Sequence, residues 1–256
     1  MFERREFKFL VPEEKAWQIR HAAQSVCHLD PFAGPDGTYT IRSLYFDTRE
    51  HALYWANEHE QPERFKARIR CYPHDGHVGS HAWLEIKHKK LNTDIKSRVA
   101  VPTDRWVDIL RSPTGLQLVD WPAEQKPLAE KFVRMVQRYH LEPFMLVEYD
   151  RMAYISDIDD YARLTLDRHI RCQIQERYDL CTNERSWRFV NHQEHTLRVE
   201  PLCLIECKFG AFFPRWMMDL VQHFDMMRDG FSKYCSSVEN QLLLPSKRIS
   251  TWEGKA

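Results

Sequence analysis

Cations at every second position are the most chemically distinctive feature of this sequence. Four of them alternate with apolar residues in one short segment: Arg64, Lys66, Arg68 and Arg70. Alternate side chains of a β-strand point to the same face of its sheet, so these four would lie side by side and repel one another. Guanidinium groups grip phosphate oxygens in a two-pronged fork, and ammonium groups act as point charges. The pattern therefore predicts a surface for a phosphate-rich anion, which would relieve the repulsion.

The same alternation brings further charges to the predicted surface. Its cations are Lys8, Arg64, Lys66, Arg68, Arg70, Lys87, Lys96, Arg98, Arg151, Arg163 and Lys208. Its carboxylates are Glu6, Glu85, Asp167 and Glu206. Such an excess of cations, in a chain whose formal net charge is zero, favours a polyanionic ligand. The few carboxylates are suited to a divalent metal that would bridge phosphate oxygens.

Short segments with this alternation are predicted to be the strands that position the charges. They are residues 3–10, 39–47, 63–72, 81–89, 95–101, 145–155, 162–174 and 202–209. Helical periodicity predicts helices over residues 12–26, 104–110, 122–139 and 214–228. Strands joined by short turns indicate an antiparallel sheet, so the predicted class is mainly β (α+β). We expect one domain over residues 1–244, followed by a loosely held tail over residues 245–256.

Two arrangements of this sheet are compatible with the pattern. In one, the charges form the solvated outer faces of a sandwich and pair across strands. In the other, they line the interior of a closed barrel and the apolar faces pack outward under helices. The repulsion within the row of four cations, the amphipathic helices and the excess of cations favour the barrel.

Composition excludes several classes of protein. Lys and Arg number 37, as do Asp and Glu, whereas a general nucleic-acid binder would be basic, so no nucleic-acid partner is expected. Only 8 residues are glycine, and no glycine-rich phosphate loop is present. No apolar run approaches the length of a membrane span, and the N-terminus lacks the apolar core of a signal peptide. The seven cysteines form no C-x-x-C motif, which is typical of thiols in a reducing compartment, and we predict a cytoplasmic location.

An ordered set of motifs then indicates a family. In chain order they are REFKFL, IRSLYFDT, ERFKARIRCY, WLEIKHK, KSRV, LVEYDRMAY, ARLTLD, LIECKF and FSKY. The chain resembles the VTC domain, the catalytic domain of the vacuolar transporter chaperone polyphosphate polymerases, which belong to the triphosphate tunnel metalloenzyme superfamily. The resemblance extends from residue 4 to about residue 240. Within the family, the chain resembles the standalone bacterial members.

This resemblance implies an antiparallel eight-stranded tunnel barrel with amphipathic helices packed outside it. It also implies that Mn²⁺ or Mg²⁺ assists transfer of the γ-phosphate of ATP to a growing polyphosphate chain. The implied phosphate ligands are Lys8, Arg68, Arg70, Lys87, Lys96, Tyr149, Arg151, Arg163, Ser232 and Lys233. The metal ligand would be Glu206, with Glu6 and Glu85 as further carboxylates. The residues expected to carry catalysis are Arg68, Arg70, Lys87, Arg151, Arg163, Glu206 and Lys233.

Two other functions use the same implied tunnel. A triphosphatase would release phosphate from inorganic or organic triphosphate, although Arg4 stands where the hydrolytic members often have a glutamate. A non-catalytic sensor would bind polyphosphate or triphosphate and report to a membrane-protein partner that is not visible in this chain. The expected small-molecule partners are therefore ATP or another triphosphate, together with inorganic polyphosphate.

Overall fold

The computed structural model describes residues 5–243 except 92, 113, 193–195 and 197–198. Arg4 and the predicted tail over 245–256 lie outside these residues. The strands are β1 (Arg5–Pro12), β2 (Cys27–Leu29), β3 (Tyr39–Asp47), β4 (Glu63–Cys71), β5 (His81–Lys90), β6 (Thr93–Pro102), β7 (Glu142–Ser156), β8 (Ala162–Ile174), β9 (Arg188–Phe189) and β10 (Leu202–Phe209). The helices are α1 (Glu13–Ala23), α2 (Ala52–Glu58), α3 (Trp106–Arg111), α4 (Lys126–Arg138), α5 (Arg215–His223) and α6 (Lys233–Val238). Short 3-10 turns lie at Gly115–Leu118 and Glu184–Ser186, and a π-helical turn lies at Glu239–Leu243.

The strands form a mostly antiparallel ten-stranded sheet, which confirms the predicted class. Its main path runs β1-β10-β8-β7-β3-β4-β5-β6, while β2 pairs with β7 and β9 pairs with β8. The eight strands of this path correspond to the eight segments that alternation predicted.

The sheet departs from the expected closed eight-stranded barrel in two details. Over the described residues the sheet has ten strands and is not closed, with β1 and β6 at the two ends of its path. Alternation shows which residues share a face, but it carries no information on whether two edge strands meet. The two additional strands contain three and two residues, which is too short to show a period.

The chain divides into two compact units. The first comprises Met1–Thr40, Tyr149–Arg171 and Phe189–Ser236, and the second comprises Ile41–Glu148, Cys172–Arg188 and Ser237–Ala256. Each has its own apolar core.

In each unit, helices cover the apolar face of the strands. In the first unit, Leu164 and Ile205 belong to one buried cluster with Ile19 of α1 and Met217 of α5. In the second unit, the cluster includes Ile69 and Ile86 together with Ile109 of α3 and Phe132 of α4. These strand residues alternate with the predicted charges, so the charges lie on the face opposite the helices. This agrees with the expectation that the amphipathic helices pack against the apolar faces.

Helix α6 was not predicted. Helices α5 and α2 also differ from the prediction, for local reasons. Helix α5 ends at His223 because Asp225 adopts a φ of 43° and the amide of Met226 bonds to the carbonyl of Val221 at 2.9 Å. This is a Schellman stop, placed before the predicted stop at residue 229. Helix α2 was not predicted, since its amides are capped from the preceding strand: Asp47 accepts from the amides of Leu53 and Tyr54 at 2.8 and 2.9 Å. Among the residues described, no helix has the length and apolar character that a membrane span requires.

Candidate functional site

Three adjacent rungs of paired residues on the second unit's sheet carry most of the predicted cations. The first rung pairs Lys66, Lys87 and Lys96; the second pairs Tyr45, Arg68, Glu85 and Arg98; the third pairs Ser43, Arg70, Trp83 and Ala100. We call these three rungs the cation face. It carries six cations and one carboxylate. The predicted Arg64 lies one rung further out, opposite Lys89, and donates to the carbonyl of Gln61 at 2.6 Å.

Glu85 organises the cation face. Its side chain is 1% exposed, and its Oε2 lies 2.6 Å from Arg68 Nη2 and 3.8 Å from Arg70 Nε. Its Oε1 lies 3.3 Å from Lys96 Nζ and 3.1 Å from Arg98 Nε. Burial alone would raise the pKa of Glu85, but the surrounding cations Arg68, Arg70 and Lys96 hold that pKa well below its usual range. The carboxylate therefore stays charged, and four cations share its single negative charge.

Neighbouring hydroxyl groups fix the two central arginines. Arg68 donates from Nη1 to Tyr45 Oη at 2.8 Å, and its guanidinium carbon lies 5.5 Å from the centre of the tyrosine ring. Arg70 donates from Nε to Ser43 Oγ at 3.3 Å. The pKa of Tyr45 is lowered, because the attraction of Arg68, Arg70 and Lys66 for its phenolate outweighs the effect of burial. The side chain of Arg70 is only 8% exposed, which does not fit the outer solvated face of a sandwich.

A second cluster of charges lies in the first unit. There, Glu206 pairs with Lys8 and Thr165, Lys208 pairs with Glu6 and Arg163, and Leu204 pairs with Asp167. Arg151 of β7 and Lys233 of α6 also contact these carboxylates. We call Arg151, Asp167, Glu206, Lys208 and Lys233 the carboxylate centre.

Lys233 bridges the two buried carboxylates of this centre. Its Nζ lies 2.6 Å from Asp167 Oδ2 and 2.9 Å from Glu206 Oε1. Arg151 donates two hydrogen bonds of 2.6 Å to Asp167 and a third, of 2.9 Å, to Glu206 Oε2. Lys208 donates to that same oxygen of Glu206 at 2.8 Å. All four carboxylate oxygens therefore accept from a cation.

Charge pairing sets the protonation of this centre. Burial would raise the pKa of Asp167, but Arg151 and Lys233 lower it. Glu206 behaves in the same way, with Lys208, Lys233 and Arg151 holding its pKa well below the usual value. Burial would lower the pKa of Lys233, but Asp167 and Glu206 raise it above its ordinary value. Asp167, Glu206 and Lys233 are therefore charged at neutral pH, while burial lowers the pKa of Lys208.

The remaining predicted residues of the first unit surround this centre. Lys8 donates to the carbonyl of Phe231 at 2.9 Å and lies 3.5 Å from Glu6, while Arg163 lies 3.9 Å from Asp30 and is 45% exposed. The ring of Tyr149 lies under two cations, with Arg151 Cζ at 5.3 Å and Lys233 Nζ at 4.6 Å from its centre. Ser232 Oγ accepts from the amide of Cys235 at 3.3 Å. This is the geometry of a helix N-cap, and it fixes the first residue of α6, Lys233.

The two clusters differ in how well they fit a divalent metal. Among the described residues, no group of three or more His, Cys, Asp or Glu side chains is arranged to hold a metal ion. Around Glu206 the donor type is suitable, since Asp167 and Thr165 add a carboxylate and a hydroxyl, and hard oxygens are what Mn²⁺ and Mg²⁺ prefer. Glu85 has four cations as neighbours instead. Of the three carboxylates expected to bind metal, Glu206 has the surroundings that fit best.

Sequence reasoning did not assign a role to three residues of these clusters. Asp167 was recognised as an acid on the charged face, but its bridge to Lys233 joins residues 66 positions apart, which alternation cannot reveal. Tyr45 and Trp83 follow the same alternation as the cations and lie beside them on the cation face. Tyr45 lies in the motif IRSLYFDT and Trp83 lies in the motif WLEIKHK. Strand register is therefore the signal that could have found them.

Comparisons with known proteins identify the family. A family model described as the VTC domain matches residues 3–241. The chain is similar to the PH1819 protein of Pyrococcus horikoshii OT3, at 11% identity and a TM-score of 0.47, over 93% of this chain and 99% of that one. It is also similar to a provisionally assigned adenylate cyclase of Bacillus halodurans, at 11% identity and a TM-score of 0.49, over 94% and 98% of the two chains. No curated protein matched. Because the family model spans nearly the whole chain, this chain belongs to the VTC domain family.

Proposed function

We propose that this chain is a metal-dependent polyphosphate polymerase, which transfers the γ-phosphate of ATP to a growing polyphosphate chain. The observation that carries the proposal is the cation face, where six cations and one carboxylate lie on three rungs. Consecutive rungs are about 6.6 Å apart, so the face extends roughly 13 Å along the strands. A single orthophosphate can contact one rung, whereas a linear chain of phosphates can contact all three. Membership of the VTC family supports the same ligand class.

The chemistry asked of the protein is positioning and charge neutralisation. In phosphoryl transfer the protein aligns the reacting oxygens and stabilises the charge of the transferred group. On the cation face we assign this role to Arg68, Arg70 and Lys87, with Lys66, Lys96 and Arg98 binding further phosphates. In the first unit we assign it to Arg151, Arg163 and Lys233, with Lys8, Lys208, Tyr149 and Ser232 in support.

Glu206 is the residue proposed to hold Mn²⁺ or Mg²⁺, with Asp167 and Glu6 as nearby acids. When bound, the metal would neutralise charge on the phosphate oxygens. Since Lys233 and Lys208 contact Glu206 directly, we expect them to turn from the carboxylate to phosphate when a triphosphate binds. Glu85 would keep the cations of its own face in place.

The deciding experiment measures both products of the reaction. Purified protein is incubated with ATP and Mn²⁺, with and without short polyphosphate, and ADP and polymer length are followed together. We expect ADP and long polyphosphate to appear in step. Orthophosphate without polymer would instead show a triphosphatase, and tight binding without turnover in any metal would show a sensor.

Two variants connect this activity to the proposed residues. Glu206→Gln removes the anionic ligand with almost no change in volume, and we expect it to abolish metal-dependent turnover. Arg68→Ala with Arg70→Ala should also remove turnover, whereas Arg134→Ala with Arg138→Ala, on helix α4 of the same unit, should not. Activity retained in Glu206→Gln at ordinary metal concentrations would show that Glu206 is not the ligand.

A further inference from the structure

An aromatic group occupies one end of the cation face. Trp83 lies on the third rung, directly opposite Arg70, and Tyr72 follows the end of strand β4. The two rings meet edge to face, with centroids 5.0 Å apart at an angle of 84°. Both side chains are half-buried. A large half-buried ring pair is therefore adjacent to a phosphate-binding surface.

Arg98 joins this ring pair to the cations. Its guanidinium carbon lies 4.7 Å from the centre of the Trp83 ring and 5.7 Å from that of Tyr72. Its Nη2 donates to Tyr72 Oη at 3.0 Å, while its Nε lies 3.1 Å from Glu85 Oε1. One side chain thus contacts the carboxylate of the second rung and the rings at the third. On strand β6, the residue paired with Trp83 is Ala100, which has a small side chain.

The chemical character of the face therefore changes along the strands. The first rung consists of three lysines, the second contains two arginines with Glu85 and Tyr45, and the third contains one arginine with Trp83. A ligand with phosphates at one end and a flat ring at the other has the same order. Flat bases stack on aromatic side chains and on guanidinium planes, and stacking on such platforms tolerates different bases.

We propose that Trp83, Tyr72 and Arg98 form a docking site for the base of a nucleoside triphosphate, whose phosphates extend from Arg70 across the first two rungs. This inference rests on the proposed function and deepens it, because it names the residues that hold the base of the nucleotide donor. The site contributes affinity for the base without requiring one particular base, because it offers rings and a guanidinium plane.

The test compares two probes that differ in the base. Dissociation constants for ATP and for inorganic tripolyphosphate are measured by calorimetry on the wild-type protein, on Trp83→Leu and on Trp83→Phe. Loss of one stacked base costs about tenfold in affinity. We expect Trp83→Leu to weaken the affinity for ATP about tenfold and to change the affinity for tripolyphosphate less than twofold. Trp83→Phe should retain most of the affinity for ATP. Trp55→Leu, which alters a 45% exposed tryptophan on α2, is the matched control and should change neither constant.

The outcomes separate this proposal from the one on which it rests. If Trp83→Leu weakens the affinity for both probes equally, Trp83 only supports the cations and the base site is refuted. If it weakens the affinity for neither probe, the base binds elsewhere and the base site is refuted. If the wild-type protein binds tripolyphosphate but gains nothing from the nucleoside of ATP, the base site is again refuted while the phosphate surface stands. Failure of the wild-type protein to bind either probe would overturn the proposed function itself.

Discussion

The three rungs of the cation face carry six cations and one carboxylate, Glu85, whereas the paired rungs of Asp167, Glu206 and Lys208 hold three cations and three carboxylates. Arg151 and Lys233 add two cations to the second of these clusters. Both clusters lie on strands with the same alternation, and both bury their central carboxylates. The difference lies in how much of the positive charge each cluster neutralises by itself.

This difference separates a face with an excess of positive charge from a network whose charges are nearly balanced. In the carboxylate centre every oxygen of Asp167 and Glu206 accepts from a cation, so the network is close to complete without a ligand. On the cation face the six positive charges outnumber the single negative charge of Glu85, so a bound anion would meet more positive charge there. Burial of the paired charges makes the carboxylate centre important for stability, and charge excess makes the cation face important for binding.

The largest effect is expected when the network loses a carboxylate. Asp167→Asn would leave Arg151 and Lys233 without their fully buried partner, and breaking a buried pair typically costs 3–5 kcal/mol. We expect a loss of about that size in the free energy of unfolding, measured by urea denaturation. Asp219→Asn, which alters an exposed ion pair on α5, is the control and should change stability by less than about 0.5 kcal/mol. A comparable small change in Asp167→Asn would mean that the network is not stabilising.

A slightly smaller loss is expected at Glu85, and it should respond to anions. Glu85→Gln leaves four cations around a neutral side chain, so we expect about 3 kcal/mol of destabilisation. Tripolyphosphate should restore most of this loss, because it supplies the missing negative charge. It should restore much less in Asp167→Asn. Urea titrations of both variants with and without the anion make the comparison, with Glu63→Gln, an exposed acid of the same strand pair, as the control. Equal restoration in both variants would remove the distinction between the two clusters.

A third effect concerns the binding of the anion itself. A ligand at one hundred times its dissociation constant stabilises the native state by roughly 2.7 kcal/mol, and a protein of this size gains about 2–4 °C per kcal/mol. Tripolyphosphate should therefore raise the melting temperature by several degrees, and equimolar orthophosphate by much less. Arg68→Ala with Arg70→Ala should remove most of this shift, while Arg134→Ala with Arg138→Ala should preserve it. The double variant at residues 68 and 70 would contradict the assignment if it still responded fully.

The sequence predicted the strands better than it predicted the contacts between them. Alternation identified all eight strands of the main path, because a half-buried strand repeats its pattern over several residues. It also grouped the charges correctly, since residues two apart must share a face. It failed at helix α2, whose cap comes from Asp47 on the preceding strand, and at the end of α5, which a positive φ at Asp225 decides. Neither the cap from Asp47 nor the positive φ at Asp225 leaves a periodic pattern in the sequence.

The candidate site was predictable in kind but not in detail. The excess of cations was visible from counting, but its division between an organised face and a nearly balanced network depends on strand register. The bridge from Lys233 to Asp167 and Glu206 requires α6 to approach two strands, which no local pattern specifies. Trp83 was placed in a family motif but given no role, because its significance depends on its neighbours Arg98 and Tyr72.

The smallest effect expected is a pH dependence that arises at Lys96 of the cation face. The pKa of Lys96 is lowered to about 8, first by burial and then by Arg68, Arg70 and Arg98, against the opposing attraction of Glu85. An unfolded lysine titrates near 10.4, so between about pH 8 and 10.4 the unfolded chain binds more protons than the folded one. This group therefore makes the folded state more stable as pH rises through that window. Its effect on binding has the opposite sign, because neutral Lys96 attracts phosphate less.

The measurement is tripolyphosphate affinity from pH 7 to pH 9.5. Lys96 is 49% exposed, and an exposed ion pair contributes only about 0.2–1 kcal/mol, so the wild-type affinity should fall about two- to threefold across the range. Tyr45 has a lowered pKa and also gains negative charge at high pH, so the contribution of Lys96 is the part of the fall that disappears in Lys96→Gln. Lys126→Gln, at the exposed start of α4, should keep the full wild-type profile. Identical pH profiles of tripolyphosphate affinity in Lys96→Gln and wild type would show that Lys96 does not contact the anion. The proposed ligand surface would then be limited to the rungs that contain arginine.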